Sequence, residues 1–99
     1  MEQDFYYAEL FEIYKGLLTE RQREAFSSHY LFDLSLSEIA ESAGTTRQSV
    51  MDTIKKVKEK LTAFEKELHV KEMTDGVYDL ANQIEDGVLS AKLKDLIGR

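Results

Sequence analysis

Between residues 50 and 68 the apolar residues Val50, Ile54, Val57, Leu61, Phe64 and Leu68 are separated by 4, 3, 4, 3 and 4 positions. An α-helix keeps such a row on one side; a strand, with its period of two, cannot. No glycine or proline interrupts the chain from Arg47 to Asp75. The pattern therefore predicts one helix from about residue 47 into the low seventies, well beyond the ~11–12 residues of an average helix. A helix of ~20 residues is ~30 Å long and outruns a small core. The seam is expected to pack on the chain's own helices and to join a second copy in a homodimer.

The rest of the chain supports an all-α reading. Proline is absent and glycine occurs five times in 99 residues, leaving few helix breakers. The apolar residues Phe5, Ala8, Leu10, Phe11, Ile13, Tyr14 and Leu17 predict a first helix over about residues 3–17. Thr19 and Gln22 spell a capping box for a second helix, with Phe26, Tyr30 and Leu31 on one side, Ala25 alongside and an end near Phe32 or Asp33. Ser35 and Glu38 spell another, followed by a stripe of Leu36, Ile39, Ala40 and Ala43 and a stop at Gly44. Thr46 is the expected N-cap of the long helix. In the tail, Thr74 or Asp75 is expected to cap a helix bearing Val77, Tyr78, Leu80, Ala81 and Ile84. A last amphipathic piece after Gly87 carries Val88, Leu89, Leu93, Leu96 and Ile97. The expected organisation is one helical domain over residues 1–99, with a core at about 19–60 and a helical extension and tail at about 61–99.

The segment "SLSEIAESAGTTRQSV", residues 35–50, has the form of a helix-turn-helix. In that motif the first helix braces the second, whose N-terminal part enters the major groove. Ala40 is small enough for a close crossing, Gly44 supplies the turn, and Val50 locks the second helix with Ile39 and Ile54.

Charge qualifies what such a motif does. The net charge is −6, which argues against indiscriminate attraction to phosphates. Residues 1–18 hold one Lys against four acids, whereas residues 47–60 hold five cations against Asp52 and Glu59. The clearly basic segment is thus the second helix of the motif.

"LLTERQREAFSSHYLFDLSLSEIAESAGTTRQSVMDTIKKVKEKL" resembles region 4 of bacterial sigma factors at Leu18, Thr19, Arg21, Gln22, Arg23, Tyr30, Ser35, Leu36, Glu38, Ile39, Ala40, Gly44, Thr46 and Arg47. "YLFDLSLSEIAESAGTTRQSVMDTIKKVKEKLTAFEKELH" is similar to the signature of the YlxM family of small proteins. The likeness spans roughly residues 5–73 and weakens in the tail. It departs from the YlxM pattern at Thr46, where Ser is usual, and at Met51, where an aromatic residue is common. The resemblance implies a sigma region 4-like helical bundle and a cytoplasmic, non-enzymatic regulatory protein. It also implies a role in the signal recognition particle pathway, with that particle's protein or RNA as partner.

For DNA as ligand, the expected interface is Thr46, Arg47, Gln48, Ser49, Met51, Asp52, Lys55 and Lys56. Arg47 suits a guanine edge and Gln48 an adenine. Thr46 and Ser49 suit phosphate oxygens, and Lys55, Lys56 and Lys58 add attraction. Asp52 opposes it. Lys58 and Lys60 are equally readable as a solvated face.

Other chemistries find no residues to carry them. Cysteine is absent, so disulfides and thiolate metal sites are excluded. His29 and His69 have no acid at a recognised metal-ligand spacing, and the pairs Glu38/Glu41 and Glu65/Glu67 have no partnering base and read as solvated faces. His29 is expected beside Tyr30 and His69 exposed on the long helix. Phe5, Tyr6, Tyr7, Phe11 and Tyr14 follow helical spacing and read as core or interface. No catalytic residue, metal site or cofactor is expected. The opening segment lacks the basic stretch of a secretory signal, and no apolar run reaches the ~20 residues that span a bilayer; a cytoplasmic protein that does not insert into membranes is expected.

Overall fold

A computed structural model describes residues 2–99. Its helices are α1 (Glu2–Tyr14), α2 (Glu20–Tyr30), α3 (Leu36–Ala43), α4 (Arg47–Leu68), α5 (Val70–Ala81) and α6 (Gly87–Leu96), with a 3₁₀ turn at Lys15–Leu17 after α1. The chain is all-α, and its contacts group into two compact units, Met1–Glu67 and Leu68–Arg99. Among the described residues, no helix is long and apolar enough to cross a membrane.

Both capping boxes form. Thr19 Oγ1 accepts from the Gln22 N–H at 3.2 Å while Gln22 Oε1 accepts from the Thr19 N–H at 3.0 Å. Ser35 and Glu38 repeat the exchange at 3.0 Å each way. Each box satisfies two N–H groups that a helix start leaves open. The bonds from Ser35 hold the Glu38 carboxyl below its usual pKa.

In the first unit, Phe26, Leu10, Leu61 and Val57 are the largest fully buried side chains. Phe26 stacks between Phe11 at 4.7 Å and Tyr30 at 4.5 Å between ring centroids. Tyr14 packs near Phe64 and donates its hydroxyl to Glu65 Oε1 at 2.6 Å, so Glu65 serves α1 rather than a solvated face. Arg23 donates to the Leu18 carbonyl at 2.6 Å and to that of Lys15 at 3.3 Å, holding the 3₁₀ turn onto α2. Several expected core positions lie outside it instead: Phe5 and Leu17 on the first segment, Leu31 beyond α2, and Ala43 at the end of α3 are exposed.

The second unit is a two-helix hairpin. Its buried residues are Ala81 and Ser90, small side chains that let the helices approach, and Ser90 Oγ donates to the Ala81 carbonyl at 2.8 Å. Asp86 caps α6 through the N–H groups of Val88 and Leu89. At the opposite end Asp75 accepts from Lys71 at 2.5 Å and from Arg99, while Lys94 and Arg99 lie over the Tyr78 ring at 5.1 and 5.4 Å. Partial burial works to raise the Asp75 pKa, but hydrogen bonds and charge from Lys71 and Arg99 leave it below the usual value.

The long helix ends where its seam does, short of the low seventies that the absence of a breaker suggests. α4 stops at Leu68, and His69 adopts a left-handed conformation, φ 53° and ψ 29°, before α5 begins. Histidine tolerates this region better than most side chains, and here its Nδ1 lies 2.9 Å from Glu72 Oε2. Thr74 and Asp75 are consequently inside α5 and cap nothing. Gly76 lies in mid-helix, where a Cβ would meet open space.

Candidate nucleic-acid interface

The brace between α3 and α4 is built from local chemistry. Gly44 sits at φ 67°, the left-handed position that glycine enters without a Cβ penalty. The Gly44 N–H reaches the Glu41 carbonyl at 3.3 Å and the Thr45 N–H reaches the Ala40 carbonyl at 2.9 Å. These paired bonds form a Schellman turn that closes α3. Two residues later Thr46 Oγ1 accepts from the Ser49 N–H at 3.0 Å and starts α4. Ala25, Ile39, Ala40, Val50 and Ile54 bury together beneath the turn, with Tyr30 and Leu36 packed against them. The crossing is thus fixed by side chains from α2, α3 and α4.

Of the seam, Val50, Ile54, Val57 and Leu61 are buried in the first unit, Phe64 is half-buried near Tyr14, and Leu68 is exposed. Burying Val50 and Ile54 turns the opposite side of α4 outward. Thr46, Arg47, Gln48, Met51, Asp52, Lys55 and Lys56 are exposed there, and Ser49 is half-exposed at the edge of α2. Thr46, Gln48, Ser49, Asp52, Thr53 and Lys56 line an open groove along this side. The eight expected interface residues therefore comprise the cap Thr46 and seven residues within the first ~3 turns of α4.

Their internal contacts bear on how they would engage a ligand. Arg47 Nη1 lies 3.5 Å from Met51 Sδ, a weak contact that leaves the guanidinium at the surface. Gln48 Nε2 donates to Asp52 Oδ1 at 3.0 Å. That bond occupies one Asp52 acceptor and turns part of its negative field onto a neutral amide. Any ligand group that bonds the Gln48 amide has to compete with Asp52 for it.

Three cations behave differently from the sequence reading. Arg21, on α2, donates to Ser49 Oγ at 3.3 Å and brings a positive charge to the start of α4 from outside the motif. No spacing rule within residues 35–50 points to it, because it lies 28 residues from Ser49. Lys58 is not a solvated charge: its ammonium lies 5.3 Å from the Tyr7 ring centroid and 4.9 Å from that of Tyr30. Lys60 turns back to Gln22 Oε1 at 3.3 Å. The positive edge available to a ligand is therefore Arg21, Arg47, Lys55 and Lys56. His29, edge-on to Tyr30, lies with Nδ1 2.8 Å from the Leu34 carbonyl and belongs to the turn before α3. Among the described residues, no three His, Cys, Asp or Glu side chains group as metal ligands.

Comparison with known proteins agrees with this architecture. Residues 1–97 match the UPF0122 family, described as "Putative helix-turn-helix protein, YlxM / p13 like". A UPF0122 protein of Ureaplasma urealyticum serovar 10 is 40% identical over 92 residues, covering 93% of each chain. One from Mycoplasma capricolum is 38% identical over 92 residues, 93% of this chain and 81% of its own. Another, from Streptococcus agalactiae, is 41% identical over 86 residues, 87% of this chain and 74% of its own. The match runs nearly end to end, through both helical units, and the chain belongs to the UPF0122 family of YlxM/p13-like helix-turn-helix proteins.

Proposed function

We propose that the protein is a non-enzymatic, cytoplasmic DNA-binding regulator that lays the N-terminal half of α4 in the major groove. The observation that carries this reading is the outward row of Thr46, Arg47, Gln48, Met51, Asp52, Lys55 and Lys56 on a helix whose other side is locked in the core. Arg47 and Gln48 occupy the first turn, where a recognition helix meets base edges. Arg21 and Lys56 flank them as phosphate contacts. With few cations and a net charge of −6, binding is weak at physiological salt and depends on base contacts more than on the backbone. Fluorescence titration of genomic fragments at low salt tests it. Binding that drops at least tenfold in Arg47→Ala and Gln48→Ala supports the reading; no binding, or binding indifferent to both substitutions, removes it.

A second reading makes the same fold a protein or RNA contact module of the signal recognition particle that does not bind DNA. It is favoured by the turn between α2 and α3, where Leu31, Phe32 and Leu34 are exposed, Phe32 at 71%. The net acidity also complements a basic partner. Co-purification with the particle, lost on Phe32→Ser and retained in Arg47→Ala, favours this reading over the first.

A further inference from the structure

On α5 the apolar residues Met73, Val77, Leu80 and Ile84 follow one another at 4, 3 and 4 positions, counting Ile84 just past the helix end; on α6, Leu89, Leu93 and Leu96 follow at 4 and 3. Each set is a coiled-coil-type stripe along one side of its helix. Val77, Ile84 and Leu93 are half-buried. The outer members, Met73, Leu80, Leu89 and Leu96, are exposed, Leu80 at 62% and Leu96 at 82%. Ser90 against Ala81 and Lys94 over Tyr78 fix which sides of the helices meet. With antiparallel helices joined that way, 100° per residue puts both stripes on the same face of the hairpin.

An antiparallel helix pair with such stripes on one face is half of a four-helix bundle. We propose that a second copy of this chain supplies the other half, the α5–α6 hairpins pairing face to face in a two-fold symmetric homodimer. Three features select a second copy as the occupant. The stripe contains no charged residue, so a twin brings no like charge into the contact. Its heptad spacing is the same on both helices, so it is self-complementary, as an isologous interface requires. At roughly 60–120 Å² of apolar surface per large aliphatic side chain, the face offers on the order of 500 Å² per copy. Two copies then bury about 1,000 Å², the level a specific interface must reach. The inference does not rest on DNA binding, although two copies would present two recognition helices to paired half-sites. It also moves the homodimer contact away from Val50, Ile54, Val57 and Leu61, which one chain uses internally.

Light scattering coupled to gel filtration, at ~10–100 μM protein, tests it. The intact chain is expected at twice its 11.4 kDa mass, and Leu80→Glu with Leu89→Glu at the single mass with unchanged helical circular dichroism. A control pair, Leu31→Glu with Phe32→Glu, should stay dimeric. A monomeric intact chain, or a dimer that survives the Leu80 and Leu89 substitutions, overturns the proposal. Should the double substitution reduce helicity, Leu96→Gln at the most exposed stripe residue is read instead through melting. The intact dimer melts higher as concentration rises, and this dependence must weaken in Leu96→Gln. A dependence unchanged in that variant, or absent from the intact chain, counts against it.

Discussion

The two helical units are built on different terms. The first is organised around bulk: a stack of Phe11, Phe26 and Tyr30 over Leu10, Val57 and Leu61, with aromatic rings drawing in Lys58 from α4. The second buries only Ala81 and Ser90 and is closed by polar contacts at Asp86 and Asp75. A unit with a filled core has a face to spare for a ligand. A hairpin held at its edges leaves its apolar side exposed, the face on which we propose a second copy docks. The contrast sets an outward polar row on a core-anchored helix, α4, beside an exposed apolar face on the hairpin.

The sharpest way to break this contrast is to remove bulk where it matters. Phe26→Ala should cost ~3–5 kcal/mol in denaturant unfolding, as a large cavity in a well-packed core does, whereas Leu31→Ala, at an exposed site, should stay within about 0.5 kcal/mol. In the hairpin the sensitive change is the reverse, an enlargement: Ala81→Leu at the helix contact should cost ~1–3 kcal/mol by overpacking. Equal responses to Phe26→Ala and Leu31→Ala would mean that the aromatic stack is not the core.

The glycines divide the same way. A Cβ at Gly44 would meet open space, but the backbone there has a φ of 67°, so Gly44→Ala should destabilise by ~1–2 kcal/mol through backbone strain alone. Gly76 has equal space without that conformation, so Gly76→Ala should stabilise α5 by roughly 0.8–1 kcal/mol. Thermal melts of the two variants should move in opposite directions.

Much of the first unit was legible because its signals are local. Thr19 with Gln22, Ser35 with Glu38, and Gly44 each act on backbone within a few residues, so spacing alone places the helix ends. The end of α4 was not legible. His69 is neither glycine nor proline, and the seam up to Leu68 gives no sign of a break that rests on one left-handed residue. Gly76 and Asp75 misled for the opposite reason: a residue that often ends or begins a helix sits inside one when its neighbours pack. The outward row on α4 followed from the burial of Val50 and Ile54, a periodic property. Arg21, Lys58 and Lys60 could not be assigned because their contacts cross between helices far apart in sequence.

The smallest expected effect concerns the hairpin's polar latch. Asp75 and Glu38 both have carboxyls held below their ordinary pKa values of 3.8 and 4.5. A depressed folded pKa gives stability that is full above the ordinary value and is lost as pH falls through the folded one. Stability should therefore be level above about pH 5.5 and decline below about pH 4. Asp75→Asn should lose about 1 kcal/mol near neutral pH, the upper end for ion pairs near the surface, and should flatten part of the acid decline. An unchanged acid profile in Asp75→Asn would show that the latch contributes nothing.

The central question is whether the exposed half of α4 reads base sequence. The direct measurement is the affinity of the intact protein, Arg47→Ala and Lys56→Ala for a selected genomic fragment and a scrambled one, across a salt series. Arg47→Ala should erase most of the preference for the selected fragment, a loss of ~1–3 kcal/mol in discrimination. Lys56→Ala should weaken both fragments alike and lower the salt slope by about one. Equal affinity of the intact protein for both fragments, or a preference that survives Arg47→Ala unchanged, would contradict a base-reading role for α4.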